Sequence, residues 1–268
     1  MIKKALLAAT VASGLIIPAQ AGELYLPPKP SIIKPENIEF SKHLLAMPLT
    51  MGMLPRKNAL VPLAITNTFN SNSTTNSSTY TYSGASIGTA SADRYIIVGT
   101  AGREGGNRTF NTCTVGGAAT TRLVHQATLN HLALFITNAP VTSGTTADIV
   151  ITLSGGSQRN AVSVWALTGS LSSITPLDTL SIDSTDPSGS LNVGADGAHV
   201  AIAYTNGNTS VTWTGVTEDY DVSFESGNNN TFSSGSDITA AAAARTITAN
   251  FGSSNDDRML AASFSRAI

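Results

Sequence analysis

Past residue 78 the chain breaks into short β-branched and apolar runs separated by clusters of Gly, Asn, Asp and Ser. The runs fall at residues 94–98, 120–125, 131–137, 148–153, 161–167, 198–204, 210–214, 221–224, 245–251 and 259–264. Counting shorter candidates, about ten to fourteen strands at this spacing predict a sandwich or barrel. Residues 95–98 and 200–203 are continuously apolar, which suits central strands covered on both faces, whereas residues 150–153 and 162–165 alternate, which suits strands with one wet face. The predicted fold class is therefore all-β: a single β-sandwich (jelly-roll-like) domain over residues 67–268, carrying an extended Pro-rich N-terminal arm. Gly116-Gly117, Gly155-Gly156, Asp196-Gly197 and Asn206-Gly207 supply the positive φ that tight hairpins need. Asp93-Arg94, Asp196-Gly197 and Asp257-Arg258 each precede an apolar strand; three loose matches hint at a recurring unit without establishing a repeat. Residues 240–244, five alanines, are the one helix-favouring run and are too short to predict a helix.

Ahead of the body lie three different stretches. Residues 1–21 carry Lys3-Lys4, an apolar run and Ala19-Gln20-Ala21, the parts of a secretory signal peptide, and the apolar run is shorter than the roughly 20 residues of a spanning helix. Residues 22–66 read as an extended docking arm. Pro27, Pro28, Pro30 and Pro35 favour polyproline-like chain, and the large apolar residues Tyr25, Leu26, Ile32, Ile33, Leu44, Leu45, Met47, Met51 and Met53 are too few to form a core, so they are predicted to dock on a partner or on the body. Residues 66–78, almost all Asn, Ser and Thr, read as a polar linker.

Composition narrows the function classes. With 12% charged residues and a formal net charge of -2, the chain has no dense basic face for displacing counterions from phosphate, so nucleic acid is not an expected partner. Cys113 is the single cysteine, which rules out an intrachain disulfide and leaves the core to hold the fold. It is expected to be a small buried residue in a strand over residues 110–115.

No constellation in the sequence names a reaction. His43, His125, His131 and His199 lack metal-ligand spacing, although His125 and His131 bracket a predicted hairpin. Serines beside glycine at residues 154–157 and 234–236 lack the strand-to-helix turn of a nucleophile elbow. Acidic clusters at Asp183/Asp186, Glu218/Asp219/Asp221 and Asp256/Asp257 suit turn formation better than glycoside cleavage or calcium, because aromatics are only 6% of the chain and no calcium-loop pattern is present. The expectation is a non-enzyme without cofactor or metal. Trp165 and Tyr204, inside apolar strands, read as core, while Trp213 and Tyr220 beside turns, with Asp219 and Asp221, are the candidate ligand-binding residues for sugar stacking and hydrogen bonding.

Several stretches together resemble a family. Gly88-Thr89-Ala90-Ser91-Ala92-Asp93-Arg94, Thr114-Val115-Gly116-Gly117-Ala118-Ala119-Thr120, Asp148-Ile149-Val150-Ile151-Thr152, Val164-Trp165-Ala166-Leu167 and the segment from Trp213 through Thr214-Gly215-Val216-Thr217-Glu218-Asp219-Tyr220 to Asp221 are similar to β-rich virion structural proteins of tailed bacteriophages and prophages. The strap from Glu23-Leu24-Tyr25-Leu26-Pro27-Pro28 to Pro35 is similar to the N-terminal stretch of some of them. The resemblance implies a fibre, spike or decoration protein at the virion surface. It would be homo-oligomeric, bound through its arm to other virion proteins, with host-surface carbohydrate as the ligand class of the displayed domain. It brings no catalytic residue with it. The competing expectation is an exported adhesion or carbohydrate-binding module, secreted or periplasmic after cleavage behind residue 21.

Overall fold

The computed structural model describes residues 60–103, 106–207, 209–225, 230–252 and 256–268. The signal-like segment and the arm through residue 59, with the docking residues Tyr25, Leu26, Ile32, Ile33, Leu44, Leu45, Met47, Met51 and Met53, lie outside the described residues. The described chain is all-β, as its patterning predicts. Its strands are β1 (Ala64–Ser73), β2 (Ser77–Ser86), β3 (Tyr95–Arg103), β4 (Phe110–Val115), β5 (Ala118–Gln126), β6 (Asn130–Thr137), β7 (Thr146–Ser157), β8 (Arg159–Thr168), β9 (Asp178–Asp183), β10 (Ser188–Val193), β11 (Gly197–Thr205), β12 (Thr212–Thr214), β13 (Thr217–Glu225), β14 (Asn230–Thr239), β15 (Ala243–Asn250) and β16 (Arg258–Phe264).

Strands β1 to β8 form one antiparallel sheet in the order β1-β8-β3-β6-β5-β4-β7-β2. Its two ends approach each other: the Thr68 hydroxyl on β1 donates to the Ser86 carbonyl on β2 at 2.9 Å, and the Phe69 and Tyr82 rings meet edge to face at 6.3 Å. The sheet is thus nearly closed into a barrel. Strands β9 to β16 form a five-stranded sheet, β9-β16-β11-β14-β13, and a three-stranded sheet, β12-β15-β10. Written in that direction, every strand stands eight places after its counterpart in the first half.

The body is a tandem duplication, and the register confirms it. Gly99 on β3 pairs with Leu134 and Ser163, while Ile202 on β11 pairs with Ser234 and Leu260 at the matching positions. The irregularities repeat too: β5 slips against β6 between Arg122 and Val124, and β13 slips against β14 between Glu218 and Tyr220. The strands expected to build one sandwich therefore divide into two eight-stranded halves. Sequence shows only a trace of this, because the shared positions are turns such as Gly88 to Asp93 and Gly194 to Asp196.

Three apolar layers follow from strand alternation. On β8, Val162, Val164 and Ala166 point into the first half with Ile96, Val98, Phe110, Phe135, Ile149 and Ile151. Ala161, Trp165 and Leu167 point the other way, into a layer with Ile97, Leu132, Leu134, Val200, Ile202, Tyr204, Phe232, Leu260 and Phe264 that joins the halves. Ala201, Ala203, Met259 and Ala261 then face Leu191, Val193, Ile247, Ala249 and Phe251 inside the second half. Strands β3, β6, β8, β11, β14 and β16 are covered on both faces; the alternation over residues 162–165 does not mark a wet face as expected, because Ser163 turns into the layer between the halves and meets Ser234 there. Gly99 lets the halves approach, since a Cβ there would lie 2.6 Å from Ile202 Cγ2 and 3.0 Å from the Trp165 ring.

Polar groups pin the layers where apolar packing ends. Between the halves, the Ser163 and Ser234 hydroxyls lie 2.8 Å apart, Trp165 Nε1 donates to Asp219 Oδ2 at 2.8 Å, and Arg258 donates to Thr128 Oγ1 and, at 2.9 Å, to the Asn130 carbonyl. At one end of the first half the Arg94 side chain, 0% exposed, donates to the carbonyls of Val141, Gly88, Ser143 and Gly144 at 2.6 to 3.0 Å. A guanidinium supplies this fan of donors, so four loop carbonyls are satisfied by one side chain.

One local expectation is corrected. The polar run at residues 66–78 is no linker. It forms most of β1 and the start of β2, and the predicted boundary at residue 67 falls inside a strand. Its Asn and Thr side chains serve the fold, with Asn67 Nδ2 donating to Asn70 Oδ1 at 3.2 Å and to the Val164 carbonyl at 3.3 Å. The alanine run leads into β15, whose pairing with β10 and β12 supplies the hydrogen bonds that a helix of five residues cannot. Cys113 lies buried on β4, where burial pushes its thiol up to about 12.

Candidate functional site

The four candidate ligand-binding residues lie on β12 and β13, where the two halves differ most. In the first half β4 runs into β5 through Gly116 and Gly117, at φ 56 and 81, and the two strands pair at Thr114 with Ala119 and at Val115 with Ala118. In the second half β12 pairs with β15 and β13 with β14, and no pairing joins β12 to β13. The connection turns at Gly215, φ 85, where a Cβ would meet the Thr246 carbonyl at 2.2 Å. The result is an open seam.

A β-bulge decides which side chains face that seam. The slip between Glu218 and Tyr220 inserts Asp219 as an extra residue, and such an insertion changes which face the following side chains take. Asp219 and Tyr220 both turn toward the layer between the halves. Asp219 Oδ2 accepts from Trp165 Nε1 at 2.8 Å and from the Ser236 hydroxyl at 2.7 Å; burial raises its pKa, and these two donors oppose the rise. Tyr220 stacks edge to face on Phe232 at 6.3 Å and accepts from Asn72 Nδ2 at 3.4 Å. Both residues are committed to holding the halves together, so the expected ligand group of four is not assembled.

Glu218 and Asp221 are left as neighbours on the other face. Burial raises the pKa of Glu218 and the charge of Asp221 adds to it; burial also raises Asp221, opposed by the Val211 N–H that its Oδ2 accepts at 3.0 Å. Asp221 Oδ1 has no hydrogen-bond partner. Ser233, directly across from Asp221, accepts from Trp213 Nε1 at 2.8 Å and its hydroxyl donates to the Tyr220 carbonyl at 3.0 Å. Trp213 stays partly exposed and Glu218 is exposed, whereas Asp221 Oδ1 is buried and its Oδ2 is already bonded. The seam therefore offers an indole and one accessible carboxylate, backed by the charge of Asp221, which suits a partner that brings positive charge. Glu218 was missing from the predicted ligand group because only the bulge brings it beside Asp221.

The other predicted positions resolve individually. Trp165 and Tyr204 are fully buried, as expected of core. His125 is exposed on β5 and His131 is fully buried on β6, facing the interior of the first half, so the two do not meet across their hairpin. Neither His131 ring nitrogen makes a hydrogen bond of good geometry, though the Thr128 and Leu129 carbonyls favour its charged form. Its ring lies 5.0 Å from that of Phe110 and it stands opposite Gly102, where a Cβ would come within 2.4 Å of Nε2. His199 Nε2 bonds the Gly215 carbonyl at 2.8 Å. Asp183 pairs with Arg258 at 3.2 Å, and Asp186, at φ 45, accepts from Phe251 N at 2.9 Å in a turn. Among the described residues no group of three or more His, Cys, Asp or Glu gathers as a metal site. Searches against protein families, curated proteins and solved structures find no match to this chain.

Proposed function

We propose that this chain is a structural protein of a bacteriophage virion, of the fibre, spike or decoration kind, that displays a tandem pair of jelly rolls. The duplicated strand order carries the reading. In each half the first strand pairs with the eighth and the third with the sixth, and the second and fourth flank the seventh, so long return connections frame the hairpin that joins β5 to β6 in the first half and β13 to β14 in the second. Eight-stranded sheets wound in this way are used in viral capsid and lectin domains, where a rigid frame presents its surface to a partner. Duplication within one chain doubles that frame and buries the joining faces. The Pro-rich sequence before residue 60 is the anchor in this reading.

Mass spectrometry of density-purified particles is the test. Peptides from residues 60–268 recovered in stoichiometric amounts with the particle support the proposal. A second reading, an exported adhesion module, draws on the signal-like residues 1–21. Absence from particles, together with a secreted chain beginning at Gly22, would replace the first reading with the second.

A further inference from the structure

The register equivalence of the two halves exposes a reversal of charge. On β5, Arg122 pairs with Phe135 and His125 with Ala133; on β13, Glu218 pairs with Gly235 and Asp221 with Ser233, the counterparts of those partners. The same bulge acts in both places. It sends Leu123 and Val124 in one half, and Asp219 and Tyr220 in the other, toward the layer between the halves. The outer two residues of each set become neighbours on the opposite face: burial lowers the pKa of His125 and the Arg122 charge lowers it further, while burial raises the pKa of Glu218 and the Asp221 charge raises it further. One fold position thus carries the Arg122 cation, beside a His125 whose charged form burial and Arg122 disfavour, in the first half and the carboxylates Glu218 and Asp221 in the second.

The two pairs lie at opposite ends of the five-stranded sheet, since β5 packs against β9 and β16 at one end whereas β13 is the strand at the other. Each edge also has an apolar element. Beside Arg122 lies a groove of about 280 Å³ lined by Leu123, Ile174 and Pro176, and the partly exposed Trp213 bonds Ser233, the residue opposite Asp221. Pairing of like edges would set equal charges against each other, whereas unlike edges attract.

We propose that copies of this chain associate head to tail, the Arg122 and His125 edge of one copy docking on the Glu218 and Asp221 seam of the next. Because the edges differ, the contact is heterologous and repeats from copy to copy, giving a ring if the rotation closes and a filament if it does not. The acidic seam attracts the approaching basic edge, and the apolar groove and indole then exclude water from the contact.

The test is sedimentation velocity of the full chain from about 1 to 100 μM, a range that spans micromolar affinity. It is run in about 20 mM and about 500 mM NaCl, which lengthens or collapses the range of the charge interaction. The wild type is expected to sediment faster as concentration rises in low salt and to return to the monomer in high salt. Arg122→Glu and Glu218→Arg, both at exposed positions, should each raise the Kd at least about tenfold by setting like charges together. Mixing the two variants in equal amounts should restore association, because each then offers the edge the other needs. Unchanged melting temperatures for the single variants confirm that folding is intact. A wild type that remains monomeric throughout overturns the proposal, as do single variants that associate like the wild type or a mixture that stays dissociated. Were the seam a glycan site instead, Glu218→Arg would leave sedimentation unchanged.

Discussion

His131 should make the body acid-labile, and the size of the effect follows from its surroundings. The side chain is 0% exposed, neither ring nitrogen makes a hydrogen bond of good geometry, and its pKa is lowered to about 4. Burial is the main cause, the carbonyls of Thr128 and Leu129 oppose it, and the Arg108 charge adds to it. The unfolded chain takes up the proton near pH 6.5, before the folded chain does, so stability is full above that pH and declines as pH falls. The loss continues to about pH 4, below which both states carry the proton and it levels off. Each pH unit of difference is about 1.4 kcal/mol, so the full effect is about 3 kcal/mol, of which about 2 kcal/mol is lost by pH 5. That is a large share of a typical stability of about 5–15 kcal/mol.

The perturbation is His131→Leu, and the assay is urea unfolding of wild type and variant at pH 7 and pH 5. Substitution changes packing at both pH values alike, so the informative quantity is the difference between the two pH dependences. His125 and His199, whose pKa values are also lowered by burial, remain in both proteins, as do the carboxylates Glu218, Asp219 and Asp221 with their opposite shift. Their contributions therefore cancel. The wild type should lose about 2 kcal/mol more than the variant between the two pH values. A difference under about 0.5 kcal/mol would refute the reasoning, because it would mean that the folded protein protonates His131 without cost.

Three further substitutions probe the frame. Arg94→Met keeps the volume but strands four loop carbonyls, and should lower the unfolding free energy by about 3–5 kcal/mol, read in denaturant; Arg94→Lys should recover little of it, since an ammonium cannot span the fan. Gly99→Ala should cost about 1–3 kcal/mol by overpacking the layer between the halves, and Ile202→Ala in the same chain should return part of it. Asp219→Ala leaves the Trp165 indole N–H without its acceptor, so a loss of about 1–3 kcal/mol is expected together with a shift in the buried tryptophan emission, while Asp219→Asn should retain more stability by keeping an acceptor.

Part of this architecture was legible because it is written locally. A run of β-branched residues is confined to extended backbone wherever it ends up, so the all-β class and the core roles of Trp165 and Tyr204 could be read directly, as could the strand around Cys113. The continuous apolar runs at residues 95–98 and 200–203 marked β3 and β11 as covered on both faces, whereas the serines of β8 and β14 concealed the same coverage there.

What tertiary structure decided was partnership. The polar run at residues 66–78 becomes a strand only because β8 and β7 offer it backbone partners, an interaction invisible in its own composition. The duplication lies in strand order and register, which are properties of pairs distant in sequence, so two halves with few shared residues retain one design. The bulge at Asp219 has the same character. Period-two alternation over residues 218–221 sorts their faces correctly only in a regular strand. One inserted residue, held by pairing with β14, turned Asp219 and Tyr220 inward and set Glu218 beside Asp221. Sequence by itself determined which segments extend and which side chains avoid water; long-range pairing alone decided which segments meet and on which face a charge emerges.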